Sequence, residues 1–167
     1  MPKSVKPVPE NFHTVTPGLV FRNAAKAIDF YKQALGAQEL MRMHGPDGKS
    51  IMHCELKIGD SVVFVTDENP WSNIKSPETT GVSTASLYLY VEDVDSAFQR
   101  AIKAGGKETM PVGDMFWGDR YGMFADPFGY DWGLATHVAD LTPAQIEEGQ
   151  KEFMASMQQQ QQHAKTA

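Results

Sequence analysis

Two stretches of this chain, about 70 residues apart, follow one pattern. In the first, Leu19-Val20-Phe21 leads to Asn23, a residue type that caps helices, and Ala24, Ala27, Ile28, Tyr31 and Leu35 then recur at helical spacing until Gly36. In the second, Leu89-Tyr90-Val91 leads to Asp93, the apolar stripe is Val94, Ala97, Phe98, Ala101 and Ile102, and Gly105-Gly106 ends it. Asn23 matches Asp93 and Gly36 matches Gly106 at one offset, so cap, stripe and stop repeat together. After each helix the period shortens to that of strands. Glu39 to Met43, Ser50 to Lys57 and Ser61 to Thr66 are separated by the turn sequences Gly45-Pro46-Asp47-Gly48 and Gly59-Asp60. Lys107 to Met110, Tyr121 to Ala125 and Asp131 to Thr136 take the same parts in the second copy, with Asp126-Pro127-Phe128-Gly129 as the last turn.

The order strand, helix, strand, strand, strand therefore occurs twice, and the chain reads as an α+β fold of two βαβββ modules, residues 13–67 and 84–138. One such unit alone leaves a sheet face exposed. Two together bury the helix-facing side, giving a curved mixed sheet with the helices outside and a concave cleft left open. Residues 1–12, with prolines at positions 2, 7 and 9, form an extended arm ahead of this domain. Residues 139–167 form a C-terminal helix and a Gln-rich tail. Thr142-Pro143-Ala144-Gln145 carries a cap, a proline for the first helical turn and a glutamine suited to a capping box, so a helix runs from there towards Met157. Gln158 to Gln162 and the residues after them have nothing apolar to bury and are expected to fray.

Composition narrows the function classes. At 167 residues and 41% hydrophobic the chain is long enough for one core. A formal charge of -6, with no clustered basic face, argues against a nucleic-acid partner. No apolar run approaches the roughly 20 residues that cross a bilayer, so no membrane partner is expected. Cys54 is the only cysteine and cannot form an internal disulfide, and Met1 to Glu10 are too polar and proline-rich for a secretory signal. The expected setting is a reducing cytoplasm. The sequence contains no Gly-rich phosphate loop, nucleophile elbow or paired-cysteine metal motif.

Ala27-Ile28-Asp29-Phe30-Tyr31 with Leu35-Gly36-Ala37, and the ending Asp126-Pro127-Phe128-Gly129-Tyr130-Asp131-Trp132, resemble the vicinal oxygen chelate superfamily, which holds glyoxalase I, bleomycin-resistance proteins, fosfomycin-modifying enzymes and extradiol dioxygenases. Phe116-Trp117-Gly118-Asp119-Arg120-Tyr121-Gly122 resembles a bacterial glyoxalase-like branch of it. The resemblance spans residues 14–138 and implies the glyoxalase/bleomycin-resistance fold, commonly as a homodimer, with the cleft in some members between chains. It also implies a divalent metal held by histidine or glutamine from the first strand of each unit and glutamate from a later strand of each; such ligands suit zinc, nickel, manganese or ferrous iron. Carried over, the first-strand positions fall at or near Thr16 and Ser86, and the glutamate positions at Glu55 and Gly133. Glu55 alone is a good ligand, whereas an open catalytic site normally needs about three. No cofactor is therefore expected, or else a divalent metal held weakly by Glu55 with His53.

Strand alternation names the rest of the cleft. His53 and Glu55 are two apart and share a face. Ser86, Tyr88 and Tyr90 line it from the second unit's first strand, Asp131 and Gly133 from the last, and Lys57 closes it from below. Phe116 and Trp117 lie in a Gly-bounded loop whose Asp119 and Arg120 either swing over the opening, pair with each other or cap the following strand. Trp132 and Cys54 point to the helix side and read as core. Trp71 covers the seam between the units or acts as a lid, His44 and Asp47 flank a tight turn as ordinary solvated residues, and His13, His137 and Tyr130 have no partner of fixed spacing. The leading reading is a small-molecule-binding homodimer with the ligand-binding set His53, Glu55, Ser86, Tyr88, Tyr90, Phe116, Trp117, Arg120 and Asp131. The alternative is an enzyme of the same fold, a lyase, isomerase or dioxygenase, with Glu55 as its general base.

Overall fold

The computed structural model describes residues 5–166, with side chains through residue 159; the first four residues of the expected arm, and Ala167, lie outside them. The chain runs β1 (Gly18–Phe21), α1 (Ala24–Leu35), β2 (Gln38–His44), β3 (Ile51–Ile58), β4 (Ser61–Asp67), a short α2 (Pro77–Thr80), β5 (Ser86–Tyr90), α3 (Val94–Lys103), β6 (Lys107–Asp114), β7 (Asp119–Ala125), β8 (Asp131–His137) and α4 (Pro143–Thr166). The two βαβββ modules are present, each as a four-stranded mixed sheet. The strand orders are β1-β4-β3-β2 and β5-β8-β7-β6. In each sheet the first strand pairs in parallel with the last, and the other pairings are antiparallel.

The local signals act as their chemistry requires. The Asn23 side chain accepts from the Lys26 amide and that of Asp93 from the Ser96 amide, each satisfying a donor that the first helical turn leaves free. Gly36 ends α1 with φ at 66°, a left-handed conformation that costs glycine little. Strand alternation then sorts the faces: Cys54, Leu56 and Ile58 are buried towards the helices, while His53, Glu55 and Lys57 look the other way. The helix-facing residues of both modules, among them Phe21, Ile28, Tyr31, Phe98, Phe124 and Trp132, join in one core. Asp126 ties that core together: only 5% exposed, it accepts from Tyr31 Oη, Trp132 Nε1 and the amides of Phe128 and Tyr130. Cys54 is fully buried in this layer, and burial pushes its thiol up to about 11.

Three features depart from the sequence-based expectation. α4 does not fray after Met157 but continues to Thr166, since glutamine, alanine and lysine are good helix formers even without a core to pack on. The turn α2 was not anticipated; Glu68 pins it by accepting from the Ser76 amide and hydroxyl and from the Thr79 hydroxyl, which hold its carboxyl down at about 2. β6 runs on to Asp114 through two register shifts. Among the described residues no helix is long and apolar enough to cross a membrane.

Candidate functional site

Register fixes which positions of the two modules are equivalent. Gly18 and Tyr88 each stand six residues before the first residue of their helix. Across the parallel pairs Gly18 faces Phe64 and Tyr88 faces Gly133; one strand further over, Phe64 faces Glu55 and Gly133 faces Met123. The counterpart of Gly133 is therefore Phe64, that of Glu55 is Met123 and that of His53 is Tyr121. This corrects the pairing of Glu55 with Gly133: Glu55 lies on the third strand of its module and Gly133 on the fourth of the other. Spacing along the chain cannot separate two antiparallel neighbours that bring their residues equally close to the first strand.

On the first module, Glu55 and Phe64 sit side by side on the face turned away from the helices. His53 Nε2 lies 3.5 Å from Glu55 Oε1, and the His53 ring packs 4.8 Å from that of Phe64. The arm folds back over these residues. Phe12 places its ring 5.9 Å from Phe64, the Phe12 amide donates to Pro9 O, and Thr16 Oγ1 donates to His13 O. The result is a groove of about 570 Å³ lined by Pro7, Val8, Pro9, Phe12, His13, Thr14, Thr16, Glu55 and Phe64. The Glu55 side chain is 19% exposed, and among the described residues His53 is its one basic neighbour within 4 Å and no donor reaches it in hydrogen-bond geometry.

The second module fills the equivalent face with rings hung on one acid. Asp119 Oδ2 accepts from Tyr88 Oη at 3.0 Å, Tyr90 Oη at 3.1 Å and Trp117 Nε1 at 3.1 Å, while Oδ1 meets His137 Nδ1 at 2.8 Å. His137 Nε2 in turn lies 3.1 Å from Asp140. Burial alone would raise the Asp119 carboxyl, whose side chain is 2% exposed, but the bonds from His137, Tyr88, Tyr90 and Trp117 outweigh it and hold the group below the ordinary carboxylate range. The His137 imidazole is raised by Asp119 and Asp140 against a small burial effect. Tyr88 is raised by burial and by Asp119. Tyr121 lies over Gly133 so closely that a Cβ there would sit 2.6 Å from Tyr121 Cε2, and the Tyr121 ring stacks on Tyr88 at 5.1 Å.

The structure separates the predicted set. Ser86 and Asp131 face each other at the far end of the β5–β8 pair, away from Asp119. Phe116 and Trp117 do not swing free: Met115 and Gly118 close the turn, the Gly118 carbonyl takes the amides of Val138 and Ala139, and Phe116 packs on Gly149 and Phe153 of α4. Arg120 is a correction. It alternates to the helix face and pairs with Asp95 and Asp114, so it neither reaches over the cleft nor pairs with Asp119. Tyr88 and Tyr90 also line a cavity of about 790 Å³ between the modules, opposite Ile58 to Ser61 of the β3–β4 turn. Among the described residues no hydrogen bond, ion pair or ring contact joins Glu55 to these tyrosines. Trp71 covers no seam; it is 84% exposed beside a pocket made by the turn at 45–52.

Sequence reasoning put Asp119 in a loop and gave His137 no partner, and so missed that the two meet. A signal was available: in a hairpin that pairs Ala125 with Asp131, counting outward pairs Asp119 with His137. The chelating positions do not fit a metal. Thr16 Oγ1 is committed to His13 O, Ser86 offers a weak hydroxyl, Phe64 offers a phenyl ring, and Gly133 lies under Tyr121. Among the described residues no three His, Cys, Asp or Glu side chains are grouped to hold an ion.

Residues 12–134 match the Glyoxalase/Bleomycin resistance protein/Dioxygenase superfamily, and the chain belongs to it. An uncharacterized protein of Mycobacterium tuberculosis (strain ATCC 25618 / H37Rv) is 40% identical over 136 residues, 80% of this chain and 79% of that one. Among solved structures, TioX from Micromonospora sp. ML1 is 25% identical with a TM-score of 0.61, over 75% of this chain and 99% of its own. The fosfomycin resistance protein FosX from Listeria monocytogenes, 13% identical with a TM-score of 0.55 over 80% of this chain and 97% of its own, shares the fold.

Proposed function

We propose that the protein is a small-molecule-binding member of the superfamily that works without a chelated metal, as a cytoplasmic homodimer. The observation that carries this reading is Glu55: a half-buried carboxylate without a hydrogen-bond donor among the described residues, beside Phe64 in an open groove that Phe12 also lines. A buried charge is costly unless paired, so a site of this kind gains most when a ligand supplies the partner. The groove volume also falls within the roughly 300–1,000 Å³ usual for small-molecule sites. Rings in place of ligands at Phe64 and over Gly133 favour binding over metal chemistry. The dimer reading is supported by β1 and β5, outer strands whose edges have no partner strand among the described residues, with Tyr88 and Tyr90 44% and 67% exposed beside the second edge.

A thermal-shift screen of aromatic and amphipathic compounds tests the binding. Compounds that bind the folded state raise the melting temperature with concentration, and the rise should shrink in Phe12→Ala, which opens the groove without touching the core. A screen in which no compound stabilises the protein would count against the reading. Metal analysis after dialysis should find far less than one equivalent of any divalent ion. Stoichiometric metal released only by a strong chelator would overturn the non-metal part, and a monomer by light scattering would overturn the dimer.

A further inference from the structure

We propose that the groove over Glu55 selects an organic cation with a flat apolar body, such as an ammonium group carried on a fused ring. This inference rests on the ligand-binding reading above and names the class of ligand.

Among the described residues, Glu55 is the only carboxylate that lines the groove, and no lysine or arginine lines it. His13 turns its imidazole towards Asp60, at 3.7 Å. Lys57, next along the same face of β3, is not part of the lining. Several other acids that are shielded from solvent are committed to protein donors. Glu39 takes Lys32 and Arg42, Asp67 takes the amides of Ala24 and Ile51, and Asp119 and Asp126 each take four bonds. Glu55 has His53 at 3.5 Å and, among the described residues, no hydrogen bond to its carboxylate.

Three ligand classes would fare differently here. An anion meets Glu55 at close range in a chain of net charge -6. A neutral molecule displaces water from the carboxylate and returns at most an uncharged donor, weaker than the charge-assisted bond a cation makes. A cation pairs with Glu55 and also lies against the Phe12 and Phe64 rings, whose planes stand 51° apart, so that it meets ring faces as well as charge. The prolines and Val8 of the arm add apolar wall for a flat body. Acid, ring faces and apolar cover in one groove are complementary to a cation on an apolar frame.

The test uses three probes of one shape, 1-naphthylmethylammonium, 1-naphthalenemethanol and 1-naphthoate, titrated calorimetrically into the full chain at pH 8 and low ionic strength. The ammonium is expected to bind about tenfold or more tighter than the alcohol, with naphthoate weakest. In Glu55→Gln the ammonium and alcohol should converge to within about twofold. If that variant does not fold, added salt serves instead: it should weaken the ammonium and leave the alcohol unchanged. Phe12→Ala, on the arm, should weaken both. An alcohol that binds as tightly as the ammonium, or naphthoate binding best, overturns the ligand class while the binding reading stands. Ammonium binding unchanged in Glu55→Gln overturns the locus. No binding by any of the three overturns both readings.

Discussion

Replacing Asp119 by asparagine and by alanine should separate the two things its carboxylate does. In Asp119→Asn the amide oxygen can take the place of Oδ2 and keep Tyr88, Tyr90 and Trp117 as donors. The amide nitrogen then faces His137 Nδ1 and donates to it, which requires His137 to carry its proton on Nε2, where Asp140 accepts. The bonds survive in neutral form and only their charge-assisted surplus is lost, about 1–2 kcal/mol. Asp119→Ala removes all four. Tyr88 and Tyr90 are exposed enough to turn to water, so the cost falls on Trp117 Nε1 and on the hole left at a buried site, about 2–4 kcal/mol. Urea unfolding near pH 6 measures both; with a slope of about 1–3 kcal/mol per molar, the alanine midpoint should fall by roughly 1–2 M and the asparagine midpoint by under half as much.

The same pair sets the sign of the pH dependence. His137 is raised in the folded state, so its contribution is complete below its unfolded pKa of about 6.5 and is lost as pH rises through the folded value. Asp119 is lowered, so its contribution is present above about pH 3.9 and is lost as pH falls through the folded value. In Asp119→Asn, proton NMR should show the His137 titration moving down towards the ordinary histidine range, and the decline of stability above pH 6.5 should flatten. An unmoved His137 titration, or an alanine variant no less stable than the asparagine one, would refute the assignment of Asp119 as the hub.

Two further substitutions probe the frame around the site. Gly133→Ala places a methyl 2.6 Å from Tyr121 Cε2 and should cost about 1–3 kcal/mol, with much of the loss recovered in combination with Tyr121→Leu; strictly additive denaturation midpoints would contradict that contact. Asp126→Asn keeps an acceptor for the Phe128 and Tyr130 amides but turns an NH2 towards Trp132 Nε1, donor against donor, for about 2–4 kcal/mol; the cost should shrink in a Trp132→Phe background, and an equal cost in both backgrounds would disprove the clash.

What was legible in the sequence is what local rules decide. Asn23 and Asp93 cap helices because the first turn leaves amides free, and His53 and Glu55 share a face because strand side chains alternate. What was not legible depends on where strands begin and which ones meet. A strand taken to start at Tyr121 leaves Asp119 and Arg120 in a loop with no assigned face. Begun at Asp119, the same strand sends the acid to the concave side and the arginine to the helices. The arm offers no periodic signal, because a proline-rich segment is extended whether it trails in solvent or lies on a sheet. Only the Phe12–Phe64 contact distinguishes the two.

The register also shows how one repeated unit came to hold two different faces. At the centre of each stands a ring above the parallel strand pair, but the ring comes from different strands. In the first module it is Phe64 of β4 itself; in the second it is Tyr121 of β7, lying over Gly133. Because Tyr121 occupies the position equivalent to His53, the second module spends that position on filling its own centre and bolts the filling to Asp119 through Tyr88 and Trp117. In the first module Phe64 fills the centre from below, so Glu55 stays on the surface of the groove with His53 beside it. Glu55 faces an open groove while its counterpart is Met123, so the carboxylate that ligand binding would use is found in one module only.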